Sequence, residues 1–194
     1  METKKEKRLR YLLIMIFMSI TAAAFFYKYY EPTKENAEYK PLAVVVQEGS
    51  TGKNPIVIMY EFRNDQHILA QFEIEKNNSY HFRTLEAAEV KDTVTQLVRD
   101  VEKGVWVELS GKWQYFDQEL LPQNRSTDYK ENSTDISFEE IDNGSEKWVE
   151  LEGKRRIKVE REDTVSQVLS LSTNQDLWLI LTNNGVKIST IATK

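Results

Sequence analysis

The sequence predicts an α+β fold: an N-terminal transmembrane helix followed by a strand-rich extracytoplasmic domain with repeated Trp-bearing β-hairpins and one or two helices. Three observations carry that expectation. Lys4, Lys5, Lys7, Arg8 and Arg10 precede an uncharged apolar run from Tyr11 to Tyr27. Short alternating apolar segments separated by Gly, Asn and Ser recur from residue 42 onward, the signature of strands and hairpins. Between them, Val90, Val94, Leu97, Val98 and Val101 change to the spacing of one helix face.

In chain order, residues 1–10 read as a basic cytoplasmic tail and residues 11–30 as a transmembrane signal-anchor. The apolar run is long enough to cross a bilayer. Its positive flank belongs on the cytoplasmic side, which puts the C-terminal domain outside. A cleavable signal peptide shares the same layout, and Thr21-Ala22-Ala23-Ala24 offers small residues for cleavage. Phe25, Phe26 and Tyr27 extend the run past those alanines, and Lys28-Tyr29-Tyr30 closes it with interfacial residues, which favours an uncleaved anchor. Residues 31–41, charged and bracketed by Pro32 and Pro41, read as a stalk. Residues 42–194 then suit one extracytoplasmic domain.

Composition narrows the class further. The 194 residues contain no cysteine. A disulfide-free exported domain fits a bacterial cell surface better than a eukaryotic secreted one. The formal net charge is −5, and the six cations and two acids of the first 30 residues leave the remainder near −9. A domain that acidic repels polyanions, which argues against nucleic acid as a partner.

Within the domain, strands are expected at Pro41 to Val46, Pro55 to Phe62, His67 to Glu75 and Tyr80 to Arg83. A helix is expected over Leu85 to Lys103, with Thr84 as its cap and Gly104 as its stop. Hairpins follow at Val105–Leu109 with Lys112–Phe116, at Lys147–Leu151 with Arg156–Glu160, and at Leu177–Thr182 with Val186–Ile191. The polar stretch from Gln118 to Asp135 reads as a long loop. Asp92-Thr93-Val94-Thr95-Gln96 is echoed by Asp163-Thr164-Val165-Ser166-Gln167, 71 residues on, and a tryptophan hairpin follows each (Trp106 and Trp178). A small all-β, propeller-like arrangement, with each Trp hairpin as half a blade, is the alternative to α+β.

Motifs with chemistry are few. Gly49-Ser50-Thr51-Gly52-Lys53 resembles the end of a phosphate loop, but Asn54 stands where a magnesium-binding Ser or Thr belongs, so a turn is expected and no nucleotide. Asp142-Asn143-Gly144 hints at a calcium loop until Ile141 falls on a ligand position. His67 and His81 are the only histidines, too few and too scattered for a transition-metal site, so no cofactor is expected. No Gly-x-Ser-x-Gly elbow is present, and carboxylate pairs are too abundant among 31 acids to single out a glycosidase. For binding, Lys154, Arg156 and Lys158 form the one basic patch, sharing a strand face. Trp106 and Trp148 alternate with Glu108 and Glu150 and offer rings for stacking, although both patch and rings also suit a charged edge strand and a core.

The functional expectation is a non-catalytic binding, sensing or accessory protein, held by a single span in a bacterial membrane and working with another membrane or cell-surface protein. A membrane-anchored cell-wall or peptide hydrolase is the alternative from another class. A secreted structural surface protein, after signal cleavage, is a third.

Overall fold

The computed structural model describes residues 41–102, 104–130, 136–152 and 155–191. The tail, the anchor and nearly all of the stalk lie outside them. Among the described residues no helix is long and apolar enough to cross a membrane.

The described chain is almost all β and not α+β: fourteen strands and one 3₁₀ turn, at Thr127–Tyr129. The strands form four antiparallel sheets, each a meander of consecutive strands. Sheet 1 contains β1 (Leu42–Gln47), β2 (Ile56–Arg63), β3 (Gln66–Asn77) and β4 (Ser79–Val90). Sheet 2 contains β5 (Val94–Arg99), β6 (Val105–Leu109), β7 (Lys112–Phe116) and β8 (Pro122–Gln123). Sheet 3 holds β9 (Phe138–Asp142), β10 (Lys147–Leu151) and β11 (Arg155–Val159). Sheet 4 holds β12 (Val165–Ser170), β13 (Leu177–Thr182) and β14 (Gly185–Thr190). Each tryptophan hairpin is therefore part of a three- or four-stranded sheet.

The helix expected over Leu85–Lys103 is instead the end of β4, a tight link and the whole of β5. The cause is a β-bulge. The register of β5 against β6 shifts between Val94 and Gln96. One extra residue reverses the in–out alternation, so side chains three apart come to one face. Val94 and Leu97 accordingly share one core cluster, while Val98 faces another. A bulged strand has reproduced helical spacing. Gly104, read as a helix stop, has a positive φ of 102° but serves the turn between β5 and β6.

The first strand of three of the four sheets carries a register shift, at its start in β5 and β12 and at its end in β1. It lies between Val45 and Gln47 in β1, Val94 and Gln96 in β5, and Val165 and Gln167 in β12. The echo between residues 92–96 and 163–167 is thus an echo of structure: each segment leads into the bulged first strand of a sheet. In β12 the consequence is the same, with Val165 and Val168 in one cluster and Leu169 in another.

Sheet 1 is apolar on both faces because it is covered on both. Ile58, Tyr60, Leu69 and Val90 pack against Leu97, Val105, Val107 and Phe116 of sheet 2. Ala43, Val57, Met59 and Ile74 pack against Leu169, Leu179 and Leu181 of sheet 4. The far face of sheet 4, with Trp178 and Ile180, meets Val149, Leu151, Ile157 and Val159 of sheet 3. Valine, isoleucine and leucine side chains on alternating positions make such layers, at roughly 1.5–3 kcal/mol for each side chain fully buried. Two hairpins turn on left-handed pairs, Asn64-Asp65 (φ 53° and 60°) and Ser110-Gly111 (φ 48° and 78°), the geometry that matches strand twist.

Candidate functional site

The exposed face of sheet 3 gathers three of the residues singled out from sequence. Val149 and Leu151 of β10 point into the core, so Trp148 and Glu150 point away from it. In the register of β10 with β11, Trp148 stands opposite Lys158 and Glu150 opposite Arg156. Arg156 Nε donates to Glu150 Oε2 at 2.6 Å. Lys158 Nζ donates to Glu146 Oε1 at 2.5 Å and lies 5.8 Å from the centre of the Trp148 ring. The hydrogen bond from Lys158 holds the Glu146 carboxyl below the usual carboxylate range. Lys154 lies outside the described residues. The result is a half-exposed indole bordered by cations that already have carboxylate partners, a nearly neutral surface able to stack and to hydrogen-bond.

Trp106 belongs elsewhere, on sheet 2, where it is 1% exposed. Its indole N–H donates to Asp100 Oδ2 at 2.9 Å. Asp100 is itself fully buried, accepts the backbone N–H of Glu102 at 3.0 Å, and lies 3.1 Å from Arg125 Nε. Arg125 also reaches Glu102 at 2.8 Å, a bond that raises its already high pKa, and its guanidinium lies 5.0 Å from the centre of the Tyr115 ring. Burial first, and then the charge of Asp100, push the Tyr115 phenol upward. Beside them Lys130 Nζ sits 3.7 Å from the Trp113 ring centre, a close cation–π contact. This network escapes a reading of the letters because Asp100 and Arg125 meet only after three strands have folded. The one local hint is an acid just before the Gly104 turn.

Along the edge of the same sheet runs a groove of about 760 Å³. The end of β4 and its link, residues 88–92, line it together with residues 112–116 of β7 and 122–125 around β8. Its lining mixes Trp113, Leu109 and Phe116 with Lys91, Gln114 and Asn124.

A third polar cluster ties sheet 4 to sheet 3. Asp163, 2% exposed, accepts from Lys187 Nζ at 2.7 Å and from Asn184 Nδ2 at 2.9 Å. Lys147 Nζ donates to the Asp163 carbonyl at 2.6 Å and pairs with Glu140 at 2.5 Å, and Glu140 accepts the Val165 N–H at 2.8 Å. The hydrogen bond from Lys187 depresses the Asp163 pKa, and the same bond raises that of Lys187. For Asp163 the stabilisation is present above the unfolded value of 3.8 and is lost as pH falls through the lower folded value. For Lys187 it is present below 10.5 and is lost as pH rises through the raised value. In thermal unfolding, the stability of Asp163→Asn is therefore expected to fall below wild type by about 1–3 kcal/mol near neutral pH. That difference should shrink on acidification below pH 3.8; a difference that stays constant to low pH would contradict the pairing.

The remaining motifs resolve as local structure. Ser50 and Lys53 close the Gly49–Lys53 turn, and Gly49 N–H donates to Leu171 O at 2.7 Å. Asp142 and Asn143 accept backbone N–H groups of Gly144, Ser145 and Glu146, making the β9–β10 turn. His67 Nδ1 is 2.6 Å from the Tyr60 hydroxyl, and His81 Nε2 is 3.2 Å from Glu75. Comparison with protein-family models and with curated proteins finds no match for the chain.

Proposed function

We propose that the protein is a non-catalytic binding, sensing or accessory module of a bacterial cell surface, held by one N-terminal span with its β domain outside the cytoplasm. The observation that carries this reading is the order of the sequence: five basic residues, a 17-residue uncharged apolar run, and then a folded domain whose first strand starts at Leu42. The acidic balance of residues beyond 30 supports solubility outside the membrane and a protein partner. The near-neutral face around Trp148 supports contact by stacking and hydrogen bonding.

The test is crosslinking and pull-down from native membranes, with the full-length chain and with a variant whose residues 11–30 are replaced by an unrelated span. A specific membrane partner captured by the native chain, and lost with the replaced span, is the expected result. Turnover of a wall or peptide substrate by the purified chain would overturn the non-catalytic reading.

A further inference from the structure

At twelve residues, β4 is the longest strand at a sheet edge among the described residues. Every residue of β4 except Val90 is at least partly exposed. Such an edge offers a row of backbone N–H and C=O groups to another strand. Natural edges of this length are guarded by charge or by a bulge, and β4 has both.

The arrangement of those features does more than guard. Phe72 pairs with Thr84 and Gln71 with Glu86, so Leu85 is the extra residue of a bulge. Before it, His81 and Arg83 stand opposite Glu75 and Glu73; after it, Glu86 and Ala88 stand opposite Gln71 and Leu69. Those four β3 residues alternate along one face. The bulge therefore brings His81, Arg83, Glu86 and Ala88 to a single face of β4, which an unbroken strand would have split. Along that face the charges run basic then acidic. Arg83 is bound within the chain by Glu73 and Glu75, and a guanidinium has donors for a further carboxylate. Glu86 is exposed, with no ion pair among the described residues.

We propose that β4 is the interface of a homodimer, in which two copies pair edge to edge, antiparallel, about a two-fold axis between Thr84 and Leu85. The charges of β4 itself run basic in its first half and acidic in its second, so the strand is complementary to its own reversed copy through the Arg83 donors that Glu73 and Glu75 leave free. In this register Arg83 faces the partner's Glu86 twice over, His81 faces the partner's Ala88, and Phe82 faces the partner's Ala87. Residues directly opposite in an antiparallel pair share a face, a condition that the bulge satisfies for each of these pairs. The end of β4, Ala88–Val90, which would meet the start of the partner's β4, also borders the groove of about 760 Å³ along sheet 2. The interface is isologous and closes at two copies.

The test uses the full-length chain in detergent, which has no cysteine of its own. His81→Cys and Ala88→Cys are made separately, then oxidised alone and as an equimolar mixture. The two positions are seven residues apart, about 23 Å along a strand, so a copy paired with itself cannot join like to like. The mixture is expected to give disulfide-linked dimer and each variant alone little. Glu86→Arg added to both copies turns two attractive cross-strand pairs repulsive and is expected to lower the yield by up to about ten-fold, at an unchanged melting temperature. Equal crosslinking alone and in mixture, or none in any sample, would overturn the proposal. Dimerisation through another part of the chain gives no 81–88 disulfide and counts against it as well.

Discussion

Gly104→Ala is expected to destabilise the domain by about 3 kcal/mol or more. The residue has φ 102°, a conformation that L side chains rarely adopt. A Cβ built there would stand 2.5 Å from the Phe116 carbonyl oxygen and 2.7 Å from the Tyr115 hydroxyl. The first contact is with backbone, so no rotamer change relieves it. Either the β5–β6 turn opens or β7 shifts, and both disturb the packing of Trp106 and Tyr115. Gly111→Ala separates strain from collision: φ is 78°, yet a Cβ at that position would have nothing within 4 Å. That change should cost roughly 1–2 kcal/mol. Denaturant unfolding of both variants decides the matter, and equal losses would mean that backbone strain, not crowding, governs Gly104.

The second large effect is expected at Asp100. Its carboxylate is fully buried and is shared by the Trp106 indole N–H, the Glu102 N–H and Arg125. Asp100→Ala leaves the two N–H donors facing a methyl group and takes one carboxylate partner from Arg125, which keeps Glu102. Breaking one side of such a pair costs about 3–5 kcal/mol, a fall in melting temperature of roughly 10 °C for a domain of this size. Asp100→Asn keeps an acceptor for the indole but sets neutral amide chemistry against Arg125, so a smaller loss of about 1–3 kcal/mol is expected. If alanine and asparagine cost the same, the charge on Asp100 matters and its acceptor role toward Trp106 does not.

The hairpin strands were legible in the sequence, the fold class was not, and that miss has an identifiable cause. Strands β6, β7, β10 and β13 fall on the residues expected of them, because short-range alternation and turn residues specify a hairpin locally. The helix over Leu85–Lys103 failed because a bulge gives Val94 and Leu97 the three-residue spacing on which a helix is recognised. Gln96 carries a faint sign of it, since Gln167 stands at the same place in β12, and Gln47 likewise follows the register shift at the end of β1. The polar stretch after Gln118 hid β8 because a two-residue strand containing Pro122 leaves no pattern to read. The candidate sites divide in the same way. Trp148, Arg156 and Lys158 meet because they belong to one hairpin. Asp100 and Arg125 are 25 positions apart with β6, β7 and β8 between them, and nothing in their local letters joins them.

The two-sided burial of sheet 1 also sets an order of events during biosynthesis. One face is covered by sheet 2, whose strands follow at once in the chain. The other must wait for sheet 4, beginning at Val165, whose Gln167 side chain accepts the Ala43 N–H at 3.0 Å. Until those last residues emerge, Ala43, Val57, Met59 and Ile74 have no apolar cover. A nascent chain in that state presents a sticky, half-finished layer, so its yield depends on how quickly the C-terminal strands arrive or on a chaperone that shields the layer meanwhile.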